Sequence, residues 1–396
     1  MVSVQSVENN GRTWTATYRR YERHISAAAM VLGFTADNYT FGRVDRPGPH
    51  IVFLAYLAVA GGSIALAHAL QTRADHRKER LELLQHRTAD ASVRLSVDTT
   101  GVADWPSRFR LWLPAITQFA LGGLWSGFLV FYWRSAALAV SWPFLLLLVG
   151  FLIGNEVFRR YHSRLVFAAL LFFFALYSYA VFVVPVLTKT IGVGMFLLSG
   201  ALAVALFLAF LAVLKILGRA RYRQSRVKLL GGAILIAAAM NAFYFGGILP
   251  PLPLALSDVG IYQAIRHTGE VYVARAEDEP WTVRLGLARP VVHVAPGQRL
   301  VLYSAVFAPI KMTTWISHRW NWWDTHLHQW RMQSVVSFQI SGGRARGYRG
   351  YSLKSNPRPG DWRVDIDTED GRRIGRVTFT VAAVPTPVET TEKILQ

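Results

Sequence analysis

Cysteine is absent from this chain of 396 residues. Its absence excludes disulfide bonds, thiol nucleophiles and metal sites with thiolate ligands. The sequence also lacks a Gly-x-Ser-x-Gly elbow, a His-Glu-x-x-His motif and a Walker-type phosphate loop, which are the signatures of common catalysts. We therefore expect a protein that is not an enzyme and that holds neither a metal nor a cofactor.

Charged residues are scarce over residues 111–249, where long apolar runs are separated by short basic connectors. Helices of soluble proteins are apolar along one stripe, whereas these runs are apolar all round and long enough to cross about 30 Å of hydrocarbon. Together with one earlier run they predict a bundle of membrane-spanning helices. The six runs are 51–70, 111–133, 137–158, 164–187, 191–217 and 228–249.

A seventh, weaker apolar run covers residues 25–41 and fits either a span or an interfacial segment. The connectors 71–110, 159–164 and 215–228 hold 17 Lys and Arg, which indicates that they are cytoplasmic. With seven spans, 21 basic residues lie inside and 4 outside, whereas six spans give 17 and 8. The positive-inside rule thus favours seven spans in a bacterial inner membrane, with a cytoplasmic N-terminus and a periplasmic C-terminal domain.

The net charge of +19 would normally raise nucleic acid as a partner. Here most of the excess lies in the connectors, where orientation in the membrane accounts for it, and we expect no nucleic-acid binding. Two helix faces carry small residues four apart, Gly123-x-x-x-Gly127 and Gly150-x-x-x-Gly154. This spacing is typical of close helix packing, either within the bundle or between two copies of the chain in a homo-oligomer.

The period of the sequence changes after residue 257, where short β-branched and aromatic runs alternate with polar residues. The pair Asp370-Gly371 between the last two runs is typical of a hairpin. The fold class predicted is an α+β membrane protein, in which a bundle of 6–7 transmembrane helices precedes a small antiparallel β-sandwich. The predicted domains are a cytoplasmic arm (1–24), a transmembrane domain (25–250), a Pro-rich linker (251–257), an extracytoplasmic sandwich (258–384) and a disordered tail (385–396).

Few polar residues lie inside the predicted membrane domain, and each is a candidate functional residue because burying a charge in lipid is costly. Asp37 needs a partner if 25–41 spans the membrane, and Asn241 in the last span is a candidate for it. If that segment is interfacial, Asp37 is simply solvated. Glu156 precedes Arg160 by one turn, which fits an interfacial ion pair or a functional carboxylate.

The segment from Trp315 to Trp330 holds five Trp and three His. Its tryptophans fit three roles: the core of the sandwich, seating on the membrane surface, or stacking on a ligand. Alternation along a strand would put Trp320 and Trp322 on one face. The pair His326-x-His328 lacks a clear third ligand, so a solvated loop is favoured over a metal site.

Several motifs of the C-terminal part occur in a recognisable order: His318-Arg319-Trp320, Gly347-Tyr-Arg-Gly-Tyr-Ser352, Pro359-Gly-Asp-Trp-Arg-Val-Asp365 and Phe379-Thr-Val381. This set resembles the C-terminal module of an uncharacterised bacterial membrane-protein family, a domain of unknown function numbered twenty-nine fourteen. The resemblance covers roughly residues 255–384 and implies an envelope protein with a small β domain. It implies no activity, substrate or catalytic residue.

We hypothesise a non-enzymatic envelope protein whose periplasmic β domain binds a partner protein, an anionic lipid headgroup or a glycan. The candidate contact residues are His318, Arg319, Trp320, Arg344, Tyr348, Arg349 and Trp362. One alternative is a transporter or channel component with the β domain as a cap, which would need a polar site between the spans. Another is a transferase for lipid-linked substrates, but no acidic or histidine cluster at a periplasmic span mouth favours it.

Overall fold

Six long helices form the N-terminal part of the computed structural model, which describes residues 35, 47–88, 105–135, 138–157, 164–250, 253–268, 271–284, 288–344 and 347–395. The predicted segment 25–41 with Asp37 lies outside these residues, apart from residue 35. In chain order the helices are α1 (Pro47–Thr88), α2 (Trp105–Ser135), α3 (Leu138–Val157), α4 (Leu165–Thr188), α5 (Val193–Leu217) and α6 (Arg219–Phe245).

Each of the six apolar runs falls on one of these helices. Five helices are long and apolar enough to cross a membrane, and α3 contains a shorter apolar stretch, Ser141–Asn155. The first run and the charged segment after it form one continuous helix, α1, because the 42 residues from Pro47 to Thr88 contain no proline after Pro49.

Helix α4 lies at the centre of the bundle, with 72% of its apolar span buried, whereas only 17% of that of α6 is buried. Aromatic rings fill the interior, as in the stacked pair Phe53 and Phe128, whose centroids are 5.2 Å apart. Gly123 of the first small-residue motif packs inside the bundle, since a Cβ there would collide with the Tyr56 ring of α1. A Cβ added at Gly150 of the second motif would meet no neighbouring atom of the described chain within 4 Å, so this position shows no close helix packing.

Within its described residues, the C-terminal part consists of eleven strands in three sheets and a short helix, α7 (Trp281–Arg284). The strands are β1 (Ala255–Tyr262), β2 (Ala264–Thr268), β3 (Val271–Ala276), β4 (Val291–Val294), β5 (Arg299–Phe307), β6 (Thr313–Asp324), β7 (Gln329–Ser341), β8 (Tyr348–Ser355), β9 (Gly360–Thr368), β10 (Arg373–Ala383) and β11 (Thr391–Leu395). The sheet orders are β1-β5-β8, β4-β10-β9-β6-β7 and β11-β3-β2. The hairpin predicted at Asp370-Gly371 joins β9 to β10.

One apolar cluster joins the three-stranded sheet β1-β5-β8 to the five-stranded sheet. It includes Leu300 and Leu302 of β5, Trp320 of β6, and Trp362 and Val364 of β9, none of them more than 1% exposed. The alternation predicted for the Trp-rich segment holds at Trp320 and Trp322, which both contact this cluster. A bulge follows at Trp320/Asn321, where the pairing of β6 with β7 shifts by one residue.

Two features differ from the predicted antiparallel sandwich with a disordered tail. Strand β4 runs parallel to β10, so the five-stranded sheet is mixed. Residues Thr391–Leu395 of the predicted tail form β11, which pairs antiparallel with β3. Leu395 explains the order of this segment, since it is 1% exposed in a small apolar cluster with Tyr262 and Tyr303.

The turn of the β9–β10 hairpin joins the sheets to the helices. The guanidinium of Arg372 donates hydrogen bonds to the backbone carbonyls of Leu249 and Pro250, at 3.0 Å for the latter, and lies 4.3 Å from the centroid of the Tyr244 ring. Ile191, in the connector between α4 and α5, packs against the apolar cluster of the sheets. The β module therefore contacts the helices at the C-terminal end of α6 and at the α4–α5 connector.

Candidate functional site

Strand β9 places two carboxylates on the face of the five-stranded sheet that lies opposite the core. Residues 362–367 read Trp-Arg-Val-Asp-Ile-Asp, and the apolar members enter the core. Because successive side chains of a strand point to opposite faces, Arg363, Asp365 and Asp367 occupy the outer face. Both carboxylates are nevertheless buried, with exposures of 1% and 0%. Other side chains must therefore cover them.

Four arginines provide this cover. Arg319 of β6 and Arg376 of β10 are the cross-strand partners of Asp365 on its two sides. Arg363 and Arg373 complete the ring on β9 and β10. We name the guanidinium patch as the set Arg319, Arg363, Arg373, Arg376, Asp365 and Asp367.

Asp365 accepts the strongest interaction of the patch. The Nε of Arg376 donates to its Oδ1 at 2.6 Å. The Nε of Arg373 lies 3.3 Å from the same oxygen, and the Nε of Arg363 lies 3.3 Å from Oδ2. The side-chain amide of Asn321 adds a hydrogen bond to Oδ2 at 3.4 Å. This carboxylate is therefore the anchor that draws three guanidiniums together.

Asp367 is held between two arginines. The Nη2 of Arg319 lies 3.2 Å from its Oδ2, and the Nε of Arg373 donates to its Oδ1 at 3.3 Å. Burial raises the pKa of Asp367 above its usual value, and the two arginines oppose this rise. The pKa of Arg363 is lowered, mainly by burial.

The patch carries four positive charges against two negative ones. Its carboxylates are covered, but its guanidiniums reach the surface, with side-chain exposures between 21% for Arg363 and 40% for Arg319. Arg373 and Arg376 contact the carboxylates through Nε, and their terminal nitrogens form no hydrogen bond with another described residue. The surface is thus a fixed array of donors with excess positive charge, which suits an anionic ligand.

Tryptophans border the patch on the β6–β7 side. The guanidinium carbon of Arg363 lies 4.7 Å from the centroid of the Trp330 ring, and Trp330 meets Trp323 edge to face at 5.3 Å.

Asp324 is the last residue of β6, and its carboxylate accepts hydrogen bonds from the backbone N–H groups of His326 and Leu327. The hydrogen bond from Leu327 is the main reason that the pKa of Asp324 lies below its usual value.

The structure separates the residues that the sequence marked as ligand contacts. His318, Trp320 and Trp362 are at most 1% exposed and belong to the interior, so they are not surface contacts. The Nε2 of His318 lies 2.8 Å from the Ser304 hydroxyl, and its Nδ1 lies 2.9 Å from that of Ser352. Burial lowers the pKa of this histidine to about 4. It is a neutral bridge between the two sheets.

The remaining predicted contacts lie in three different places. Arg319 is part of the guanidinium patch. Arg344 precedes β8 and lies 5.1 Å from the Tyr348 ring, whereas Arg349 on β8 lies 5.9 Å from the ring of Tyr272 on β3. The predicted set therefore does not converge on one cleft.

The candidate polar residues of the predicted membrane domain form no joint site in the described chain. Asn241 donates to the backbone carbonyl of Ala237 at 2.8 Å and to the Tyr177 hydroxyl at 3.4 Å. It lies one turn from the end of α6. Glu156 belongs to α3, but its side chain, like Asp37, is outside the described residues.

Within the described residues no three His, Asp or Glu side chains are grouped as metal ligands. His326 and His328 are exposed in the turn between β6 and β7, which Asp324 closes.

Sequence reasoning missed Arg363, Arg373 and Arg376 as members of the site. A signal was present, because Arg363, Asp365 and Asp367 alternate with apolar residues and must share a face. The sequence could not show that arginines from neighbouring strands cover this face, since that depends on the register of β6, β9 and β10.

The comparisons with known proteins concern the same strands. Residues 313–381 match the family model described as "Protein of unknown function (DUF2914)". The match runs from the start of β6 into β10 and contains the whole guanidinium patch, and it confirms the predicted domain of unknown function over these residues of the expected range 255–384.

No curated protein matches the chain. Among solved structures, the Pseudomonas fluorescens alkylpurine DNA glycosylase AlkC bound to DNA containing an abasic site analog is 12% identical, with 85% of this chain and 99% of that chain covered and a TM-score of 0.18. A similarity at this level carries no inference about the fold or the function of this protein.

Proposed function

We propose that this chain is an integral protein of a bacterial inner membrane. In this proposal its helices anchor a two-sheet β-sandwich in the periplasm, and the sandwich binds an anionic envelope component without catalysing a reaction. The observation that carries the proposal is the guanidinium patch: four partly exposed arginines held over two buried aspartates on the outer face of one sheet.

The spacing of exposed tryptophans supports the membrane location. On α2, Trp112 and Trp133 are 67% and 57% exposed. They are 21 residues apart, which at about 1.5 Å per residue amounts to about 32 Å, close to the thickness of the hydrocarbon core. Trp142 of α3, 56% exposed, lies near the same helix ends as Trp133. Tryptophans at two such levels are typical of membrane interfaces.

The energetics of the patch favour a binding role. Burying two carboxylates is costly, and their pairing with arginines compensates for that cost without making the face more stable than an apolar one would be. The excess of two positive charges, in contrast, makes the binding of an anion favourable. Arginine also remains protonated at physiological pH, so the patch holds charge and does not transfer protons. Both properties support recognition over catalysis.

The test is binding of acidic probes by the full chain in lipid nanodiscs. The probes are oligogalacturonate, polyglutamate and inorganic pyrophosphate, which represent a glycan, a protein and a phosphate. We expect calorimetry to show binding that weakens with salt, and the double variant Arg319→Gln/Arg363→Gln to lose roughly tenfold or more in affinity, since charge-assisted hydrogen bonds contribute about 1.5 kcal/mol or more.

The matched control is Arg266→Gln. Arg266 pairs with Glu392 on the surface of the β11-β3-β2 sheet, away from the patch, and its side chain is 62% exposed. This variant should bind as the parent does. The control removes one charge and the double variant removes two, so a control that loses half as much binding free energy as the double variant would mean that only the overall charge matters. No binding of any probe would contradict the proposed ligand class. The probe that binds most tightly identifies the kind of partner.

A further inference from the structure

We propose that the β module rests on the membrane surface through a second contact, beside its joint with the helices. We name the membrane-facing rim as Ile310, Lys311, Trp315 and Arg344. In this inference Ile310 and Trp315 enter the interfacial layer of the bilayer, and Lys311 and Arg344 meet lipid phosphates. The inference rests on the proposed function, because it requires the helices to be in a membrane.

Strand register fixes the end of the module on which the rim lies. Ile316 of β6 pairs with Thr368 of β9, and Thr313 pairs with Ser341 of β7. The start of β6 and the end of β7 are therefore at the same end of the sheet as the β9–β10 turn. That turn carries Arg372, which binds the carbonyls at the end of the last long helix. The rim thus faces the plane in which the helices end.

The helices leave the rim uncovered. In the sheet order, β6 and β7 lie one and two strands beyond β9, which places them about 5 and 10 Å to the side of the joint. Ile310 is 53% exposed and Trp315 is 44% exposed in the presence of the whole described bundle. A surface at the level of the helix ends that no described helix covers is open to lipid headgroups.

Backbone hydrogen bonds hold the turn that carries Ile310 and Lys311 in place. The backbone N–H of Gly342 donates to the carbonyl of Met312 at 2.8 Å, and that of Gly343 donates to Ala308 at 3.1 Å. These bonds tie the β5–β6 turn to the β7–β8 connector. A Cβ at Gly342 would overlap the carbonyl of Pro309, so this close approach requires glycine. Ordering of the rim therefore adds little entropic cost on binding.

The four side chains have the chemistry of a membrane contact. Tryptophan is enriched at the level of lipid headgroups, where its ring is partly in hydrocarbon and its N–H is solvated. The exposed isoleucine at the tip of the turn loses contact with water when it enters the acyl-chain region of the bilayer, and this transfer lowers the free energy. Lysine and arginine near the surface favour anionic lipids, as the field of the headgroups attracts them. The rim thus combines apolar and cationic residues, and this combination is typical of surfaces that bind anionic lipid.

The absence of cysteine allows a direct test with single labelled positions in the full chain. Ile310→Cys is labelled with an environment-sensitive fluorophore, and the protein is placed in nanodiscs of phosphatidylcholine and phosphatidylglycerol, with and without a lipid that carries a doxyl quencher. We expect blue-shifted emission and loss of most of the fluorescence with the quencher, but little quenching by iodide in solution.

Two control positions make the result decisive. Leu327→Cys lies at the opposite end of the same β6–β7 hairpin and has a matching exposure of 55%. It should be quenched by iodide and not by the doxyl lipid. Ile234→Cys lies on the last long helix and is 70% exposed. Quenching at Ile234 together with identical behaviour at Ile310 and Leu327 would overturn the rim but not the membrane location. No lipid quenching at Ile234 would overturn both.

The charge of the rim is tested in the same system. Lys311→Gln/Arg344→Gln should reduce lipid quenching at Ile310 in the discs that contain phosphatidylglycerol, and should change it little in discs of phosphatidylcholine alone. Equal quenching of parent and variant in both discs would overturn the role of the two cations. Circular dichroism of each labelled variant checks that the module keeps its fold.

Discussion

At the scale of single residues, His318 is the clearest case of a polar group that the fold tolerates only in one protonation state. It is fully buried, and both ring nitrogens have serine hydroxyls as partners, one on each of two neighbouring strands. A neutral imidazole has one donor and one acceptor, and each hydroxyl supplies the complement. Protonation would leave a charge in the core that no carboxylate balances.

This histidine should make the stability of the protein depend on pH. Its folded pKa is about 4, against 6.5 for an unperturbed histidine. The unfolded chain binds a proton as pH falls through 6.5, whereas the folded chain does not until about 4, so the contribution is complete above 6.5 and is lost between these values. The shift corresponds to about 3 kcal/mol. We expect the midpoint of thermal unfolding, followed by near-ultraviolet circular dichroism, to fall steeply over this range.

The variant His318→Gln isolates this effect, because an amide keeps a donor and an acceptor but does not titrate. It should be less stable at pH 7.5 and should show a weaker dependence between pH 6.5 and 4. The chain has ten other histidines, which titrate equally in parent and variant. An unchanged pH profile would show that His318 is not the residue responsible.

Residue patterns predicted which side chains share a face, but not which of the two faces is solvated. Alternation correctly placed Trp320 with Trp322. The same pattern could not show that Asp365 and Asp367 are buried on the outer face, since that requires arginines from two other strands. Trp320 was a candidate both for the core and for a ligand site, and Trp362 was a candidate ligand contact. Only the packing of the two sheets places both in the core.

At the scale of elements, the sequence predicted the helices but offered no prediction of the strand order. Long apolar runs determine the helices through local composition, and all six lie on helices, although α1 continues 18 residues past its run and α6 begins nine residues before its own. The parallel pair β4 and β10 joins residues about 90 positions apart in sequence, for which no local pattern exists. The strand β11 was hidden by a polar composition, and one buried leucine with backbone pairing to β3 suffices to order it.

The β9–β10 turn is the element that couples the module to the helices, and Arg372 is its main contact. Arg372→Ala removes the hydrogen bonds to Leu249 and Pro250 and the stacking on Tyr244. Loss of a charged donor of this kind costs about 2 kcal/mol, equivalent to a roughly thirtyfold rise in the population of the opened joint. We expect cleavage by a protease at residues 250–254 to accelerate by a comparable factor in nanodiscs.

Arg289→Ala is the control for this experiment. Arg289 donates to Asp361 at 2.9 Å in an exposed ion pair, and its side chain is 47% exposed. Surface pairs of this kind contribute little, so the cleavage rate should stay close to that of the parent. A similar rate for Arg372→Ala would show that apolar contacts, such as that of Ile191, hold the joint without the arginine.

At the scale of the whole molecule, the charged residues lie at the ends of the apolar helices, and the β module is joined at one of these ends. The apolar stretches 112–133, 165–188, 193–214 and 229–245 contain no Asp, Glu, Lys or Arg. The module is joined to the helix ends near Leu249, whereas the basic cluster of residues 215–228 lies at the opposite end of the last long helix. These four stretches therefore offer no charged side chain to a pathway for ions, whereas uncharged polar groups such as Ser63, Thr117 and Asn155 are buried between the helices.

The orientation of the chain in the membrane is tested with reporter fusions at two positions. Alkaline phosphatase is active only outside the cytoplasm, so a fusion after residue 396 should be active in cells, and a green fluorescent protein fusion at the same place should be dark. Fusions after Gly218, at the corner between α5 and α6, should give the reverse result, since one more helix separates that corner from the module. The physical reason is the cost of moving the six Lys and Arg of 215–228 across the membrane, compared with a module that carries a net charge of only +5 over residues 251–396. Activity after Gly218 together with inactivity after residue 396 would invert the orientation and place both the guanidinium patch and the rim on the cytoplasmic side, where the partner would have to be sought instead.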